Sequence, residues 1–449
     1  MIRSSRRRLG LVVTTAAVAA TVALSSTSAQ AGRDDTVRVS SSADSGEGSF
    51  RAAIEAANGD PEIDRIVFRS GVDVLLESPV EYTGDQHLSL LGRDNVISGD
   101  PAAAAANPTF DGGLFVSRSG ADLSMRRLTF AGSFNNGLAV FLPADAGDMT
   151  IEMNRVTVTD SKFHGIFVDG QSTTGYNSDD VPHPGCTDPH PVDSAGSITI
   201  KLKNGAVIGN GTLAGGFDDS TATGCPRDFD GVRVDDGADG GIHAEFSRTA
   251  FDGNLADGVE LDETGDGGVG AIVTRSTFDA NGNSGETVDG LEDLDDGFDI
   301  DEVGPGDIWV SIARSSMSNN FDEGLDLDEA GEGSVDVQIH TVVADGNEDE
   351  GVKVDEEDDG DLSVGMGRTS SSNSLSQDGV DLTEEGDGNL WLVVDRSVIV
   401  GNDNNGIAAE QADAGEGGIL VKRSDLTGNG EEPIDAEGID DINVSRTAR

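Results

Sequence analysis

Asp257-Gly-Val-Glu-Leu-Asp-Glu-Thr-Gly-Asp-Gly-Gly-Val-Gly-Ala-Ile-Val-Thr-Arg-Ser-Thr-Phe-Asp-Ala-Asn281 is the stretch that decides how this chain folds. After Gly258, apolar residues alternate at Val259 and Leu261, and acids follow at Asp262 and Glu263. A second alternation runs through Val269, Ala271 and Val273, followed by Arg275, Phe278 and Asn281. Alternation with a period of two marks short strands with one buried face. The same pattern occurs seven times, opening on Gly231, Gly258, Gly297, Gly324, Gly351, Gly379 and Gly406. Successive spacings are 27, 39, 27, 27, 28 and 27 residues, and the 39 is one period with a 12-residue insertion. A fixed period of this length means stacked units, none of which buries its apolar face alone.

Three short strands and three turns per period make one coil of a parallel β-helix. Equivalent residues of successive coils then stack about 4.8 Å apart. The first strand contributes Val232/Val234, Val259/Leu261, Phe298/Ile300 and Leu325/Leu327 to the core, and the second contributes Ile308/Val310/Ile312 and their equivalents. The third begins at Phe251, Phe278 and Met317. Asn254, Asn281, Asn320 and Asn347 read as an internal hydrogen-bonding ladder that satisfies turn backbone groups. The opening glycines read as left-handed turn positions. The arginine column, Arg248, Arg275, Arg314, Arg368, Arg396 and Arg423, reads as guanidinium groups bonding turn carbonyls.

The 449 residues carry a formal charge of −55, which excludes nucleic acid as a natural partner. Aromatic residues make up only 4% and there are 61 glycines, as suits a thin, tightly turned core. Met1–Ala31 reads as an export signal: Arg3, Arg6, Arg7 and Arg8 precede an apolar run, and Ala29-Gln-Ala31 offers a small-residue cleavage site. Ser5-Arg-Arg-Arg-Leu9 also resembles a twin-arginine signal, and either route exports the protein. No later segment is apolar enough to span a bilayer, so the expected location is extracellular.

Ser45–Phe68, SGEGSFRAAIEAANGDPEIDRIVF, reads as a short amphipathic helix with Ser49 as N-cap, followed by a strand. This run resembles the N-terminal cap of secreted right-handed parallel β-helix repeat proteins of the pectin-lyase-like superfamily, with Phe50 where that family usually has Leu. His87-Leu-Ser-Leu-Leu-Gly92 and Arg126-Arg-Leu-Thr-Phe130 resemble the coils that follow such caps. The resemblance implies an all-β, right-handed, single-stranded parallel β-helix with coils of about 27 residues and a strand-helix cap. The expected divisions are a signal at 1–31, cap and first strands at 32–87, and β-helix at 88–449. Insertions are expected near 171–195, 215–229 and 284–295. The first two insertions hold the chain's 2 cysteines, Cys186 and Cys225, which predicts one disulfide. The alternative is a zinc site of His183, Cys186 and His190.

Three acidic columns climb the repeat. The fourth residue after the glycine is Asp235, Asp262, Asp301, Asp328 or Asp355. The fifth includes Glu263, Glu302 and Glu329, and the residue before the glycine includes Asp230, Asp257 and Asp296. Unit charges about 4.8 Å apart repel by about 0.9 kcal/mol in water and 3–4 kcal/mol at an effective dielectric of 20. Calcium bound by these oxygens would offset that repulsion; the alternative is a solvated acidic face neutralised by salt and the arginines. In the superfamily's lyases a basic residue abstracts a proton beside carboxylate-bound calcium. Under that implication the irregular coil offers Asp169, His183, His190 and Arg233. Trp309 and Trp391 share an outward column three coils apart, as a stacking track for sugar rings or a self-association patch would. The expected function is a calcium-associated, non-catalytic scaffold that binds polysaccharide or cell-surface glycan. The alternatives are a polysaccharide lyase or glycoside hydrolase, and a purely structural surface protein.

Overall fold

The computed structural model describes residues 36–103, 112–170, 193–212, 229–237, 239–282, 295–412 and 414–445. The signal at Met1–Ala31, most of each insertion, and Cys186, Cys225, His183 and His190 lie outside the described residues. Asp34–Arg449 forms one compact unit.

The alternating strands pair in parallel across coils into a 16-stranded, a 12-stranded and a 3-stranded sheet. The first strands of successive coils stack in the 12-stranded sheet, with Val232, Val259, Phe298 and Leu325 in register. The second strands stack in the 16-stranded sheet, with Ile242, Val269, Ile308, Val335, Leu362 and Leu390 in register. The chain is a right-handed single-stranded parallel β-helix. Its apolar columns fill one elongated core, in which Val310, Val337 and Val364 are at most 1% exposed. Phe251, Phe278 and Phe298 stack along that core, with ring centroids 4.9 and 5.3 Å apart.

The cap forms as its residues dictate. Ser49 accepts a hydrogen bond from Ala52 N (3.1 Å) and starts the helix Phe50–Gly59. Its buried stripe is Phe50, Ala53, Ile54 and Ala57, and Phe50 packs 5.3 Å from Phe68. At the far end the strand Asp441–Ser445 pairs with Gly418–Lys422. Ile442 and Val444 continue the inward columns there but stand exposed. Among the described residues no helix is long and apolar enough to cross a membrane.

The asparagine ladder is present. Asn281 Oδ1 accepts from Asn254 N and Asn254 Nδ2 (both 3.1 Å), and Asn281 Nδ2 donates to Asn320 Oδ1 (3.2 Å). Asn281→Ala leaves a buried backbone donor without its acceptor, a loss of about 1–3 kcal/mol. Urea unfolding of the variant checks this, and an unchanged midpoint would show that the ladder is not stabilising.

Two column assignments need correction. The opening glycines are not left-handed; they are forced by crowding between coils. A Cβ on Gly258 would lie 2.4 Å from the carbonyl of Gly297 and 2.7 Å from Asn281 Nδ2. The left-handed position belongs to the arginine column, where φ is 53° at Arg248, 55° at Arg275, 58° at Arg314 and 54° at Arg423. These side chains are exposed. Arg396 and Arg423 pair with Asp395, and Arg368 reaches His340. The guanidinium bonds at these three therefore go to side chains instead of turn carbonyls.

Candidate cation-binding face and aromatic groove

In each first strand, residues one and three after the glycine point into the core, so residues two and four point out. The outward pairs are Arg233/Asp235, Glu260/Asp262, Asp299/Asp301, Asp326/Asp328 and Lys353/Asp355. An outward face ordinarily meets water, but from Arg233 to Asp328 none of these residues is more than 8% exposed. The solvated-face alternative does not describe these columns. Charges here interact through a lower dielectric than water and are correspondingly stronger.

The protein supplies one cation at each end. Arg233 Nε lies 2.9 Å from Asp235, and the same guanidinium reaches Glu260 at 2.5 Å, Asp262, and Asp230 at 3.9 Å. Lys353 Nζ lies 2.7 Å from Asp326, 3.6 Å from Asp328 and 4.0 Å from Asp355. Burial pushes Asp235 up to about 8 despite the nearby guanidinium, and it also raises Asp262. Burial pushes Asp355 up to about 6, against the pull of Lys353.

Between those cations, Glu260, Asp262, Asp299 and Asp301 each offer one oxygen, all within 4.8 Å of one another. Asp230, Asp257 and Glu260 form a second such group, and Asp296, Asp299 and Asp326 a third. Asp262 Oδ1 and Asp326 Oδ1 are buried and make no hydrogen bond. An all-carboxylate set with orphaned buried oxygens fits a hard divalent cation, and calcium in particular tolerates irregular oxygen shells.

Of the acids singled out in the sequence, Asp262 and Asp301 join this cluster. Asp235 sits on Arg233; Asp328 and Asp355 sit by Lys353. Glu263, Glu302 and Glu329 occupy the fifth position, which alternation turns inward. Their Oε1 atoms accept from the amides of Gly265 (2.9 Å), Gly306 (3.2 Å) and Gly333 (3.0 Å) in the next turn. They form a separate buried column, in which desolvation raises Glu263 and Glu329 to about 7 and Glu302 to about 10. Glu260, Asp299 and Asp326 were not singled out, although period-two alternation places them beside Asp262 and Asp301. The signal was obscured because Arg233 and Lys353 break the acidic run in their column.

Asp169 is buried and in register with Asp235. Five residues earlier in the chain, His164 Nδ1 accepts from Asp230 N (3.1 Å), and its ring stacks on Phe167 at 5.1 Å. Arg233, held by four carboxylates, is poorly placed to act as a base, since each of them stabilises its charged form.

The second sheet carries the other candidate. Trp309 and Trp391 project from it, 42% and 43% exposed, because Ile308, Val310, Leu390 and Leu392 take the inward positions. Beside Trp309 runs an open groove of about 730 Å³, whose lining includes Lys201, His243, Gly270, Ile272 and Pro305. Its remaining charged lining is Glu245, Asp266 and Asp307.

No protein-family model matches this chain, and no curated protein sequence matches it. Solved structures do. The A-module of mannuronan C-5 epimerase AlgE4 from Azotobacter vinelandii aligns over 92% of this chain and 100% of that one, at 15% identity and TM-score 0.51. The A-module of AlgE6 from the same organism aligns over 89% and 95%, at 13% identity and TM-score 0.44. PfbA, a surface protein and adhesin of Streptococcus pneumoniae, aligns over 88% and 95%, at 10% identity and TM-score 0.29. The AlgE4 match establishes a shared fold, the parallel β-helix.

Proposed function

We propose that the protein is an exported β-helix scaffold that binds polysaccharide or cell-surface glycan on its second sheet, holds calcium in the acidic face of its first, and catalyses no reaction. The observation that carries the reading is the groove at Trp309. A half-exposed indole stands at the wall of an open trough on rigid strands, with polar groups along the rim. Sugar rings stack on such faces and bond to such rims. Trp391, in the same outward column, offers a second contact along an extended chain. The fold-sharing AlgE4 module is named as a mannuronan epimerase, which supports a glycan partner here as well. The features of Met1–Ala31 support export, with 32–87 as the cap of the mature scaffold.

Glu260, Asp262, Asp299 and Asp301 would hold the calcium, with Asp296 and Asp326 beside them. The ion would supply positive charge where Arg233 and Lys353 give way to acids alone in the outward columns. The ion would be structural, because the residues that would hold it belong to a different sheet from the groove residues. The confinement of Arg233 speaks against that residue as a lyase-type base.

Titrating oligosaccharides against tryptophan fluorescence tests the reading. Saturable quenching or enhancement is expected, and Trp309→Ala should weaken it about tenfold, the upper range for one aromatic contact. Release of unsaturated product from an acidic polysaccharide would replace this reading with a lyase. A dimer dissociated by Trp309→Ala, with no glycan response, would replace it with an assembly interface.

A further inference from the structure

The groove at Trp309 differs from a general sugar-stacking surface in its charges and its floor. We propose that its ligand is a neutral polysaccharide, one ring of which stacks on Trp309 over the bare backbone of Gly270, with His243 as the opposite wall. The proposal rests on the glycan-binding reading of this face.

His243, Gly270 and Trp309 occupy one outward column in three successive coils. The strands that carry the two rings are about 9.6 Å apart, and the His243 ring leans toward Gly270 on its side of the groove. A sugar ring stacked on the indole takes a van der Waals contact of about 3.5–4.0 Å. Glycine keeps the floor bare: a Cβ on Gly270 would project into this space, 3.2 Å from His243 Nδ1. Ile272 and Pro305 add apolar surface beside the indole.

The charges select against uronic acids. Lys201, the lysine that lines the groove, has its ammonium 2.6 Å from Glu245 Oε1, and Lys203 approaches the other oxygen of Glu245 at 3.7 Å. The Lys201 ammonium holds the Glu245 carboxyl below its ordinary range, so the pair stays ionised and mutually satisfied. Asp266 and Asp307 then dominate the rim, on a chain whose net charge is −55. A ligand carboxylate brought within about 4 Å of one solvated acid loses about fivefold in affinity, and more at low salt. Hydroxyl groups bond these same carboxylates without that penalty.

Calorimetric titration of the full mature chain tests this. Neutral gluco-, manno- and xylo-oligosaccharides are compared with oligogalacturonate and oligomannuronate, each with calcium and with chelator, at low and high salt. A neutral series should bind with salt-independent affinity, and the uronates should bind at least about fivefold more weakly, recovering as salt screens the rim. Gly270→Val should abolish binding at unchanged unfolding temperature, because it adds a β-branched residue to a solvent-facing strand position. Gly270→Ser, a smaller intrusion, should weaken it. Uronates binding as tightly as the neutral series, with or without calcium, would overturn the proposal and leave the glycan-binding reading standing. Neutral binding undiminished in both Gly270 variants would overturn the placement of the ring. Binding of neither class would overturn the proposal and that reading together.

Discussion

Calcium is expected to raise the unfolding temperature of this protein by about 3 °C at constant ionic strength, and chelation is expected to reverse the rise. The reason lies in the buried outward face of the first sheet. There Glu260, Asp262, Asp299 and Asp301 each offer one oxygen to a common space. They would hold one ion, because Glu260 and Asp299 also belong to the two flanking groups and cannot serve both at once. An ion that binds only the folded chain contributes about 2.7 kcal/mol at a hundredfold excess over its dissociation constant. Spread over the unfolding entropy of a chain this long, that is a shift of about 3 °C. Magnesium should do less, because it demands near-ideal octahedral geometry and gives up water reluctantly. Replacing Asp299 and Asp301 with Asn together should flatten the calcium response. The same pair should raise stability in chelator, since two repelling charges are gone. Sodium chloride matching calcium at equal ionic strength would contradict the claim, because screening alone would then account for the effect.

Arg233→Ala is expected to cost about 3–5 kcal/mol, the scale for removing one member of a buried ionic cluster. The guanidinium is the common partner of Asp235, Glu260 and Asp262, with Asp230 at its edge. Its loss leaves those carboxylates facing one another away from water. The loss should be smaller in calcium than in chelator, because an ion among Glu260, Asp262, Asp299 and Asp301 relieves part of the same repulsion. Arg396→Ala provides the contrast: that pair, with Asp395, is exposed, and the expected loss is below about 1 kcal/mol. Denaturant unfolding of the two variants checks both values. Equal, small losses would mean that the Arg233 cluster is solvated after all.

The fold was readable because the repeat states each rule many times. Alternation at Val259/Leu261 and Val269/Ala271/Val273 determined which side of each strand is core, and the 27-residue period determined what stacks on what. The same alternation sent Trp309 and Trp391 outward. Other features were not readable, for physical reasons. A glycine required by a left-handed φ and one required by a neighbouring carbonyl look identical in sequence, so Gly258 was assigned the first role and has the second. Alternation tells which residues face outward, but not whether that face meets water, and the burial of Asp262 and Asp301 follows from tertiary packing. Neighbouring acids in sequence were read together, yet Asp262 and Glu263 point to opposite sides of one strand. The carboxylates that gather around Asp262 come from positions two and four of adjacent coils, and no spacing within a single coil brings them together.

The most direct measurement is anomalous diffraction from a crystal grown in calcium and from one grown in chelator. The account predicts a difference peak among Glu260, Asp262, Asp299 and Asp301, present only with calcium, with oxygen distances of about 2.3–2.6 Å. No peak at these carboxylates in saturating calcium, with ordered water or shared protons bridging them instead, would contradict it.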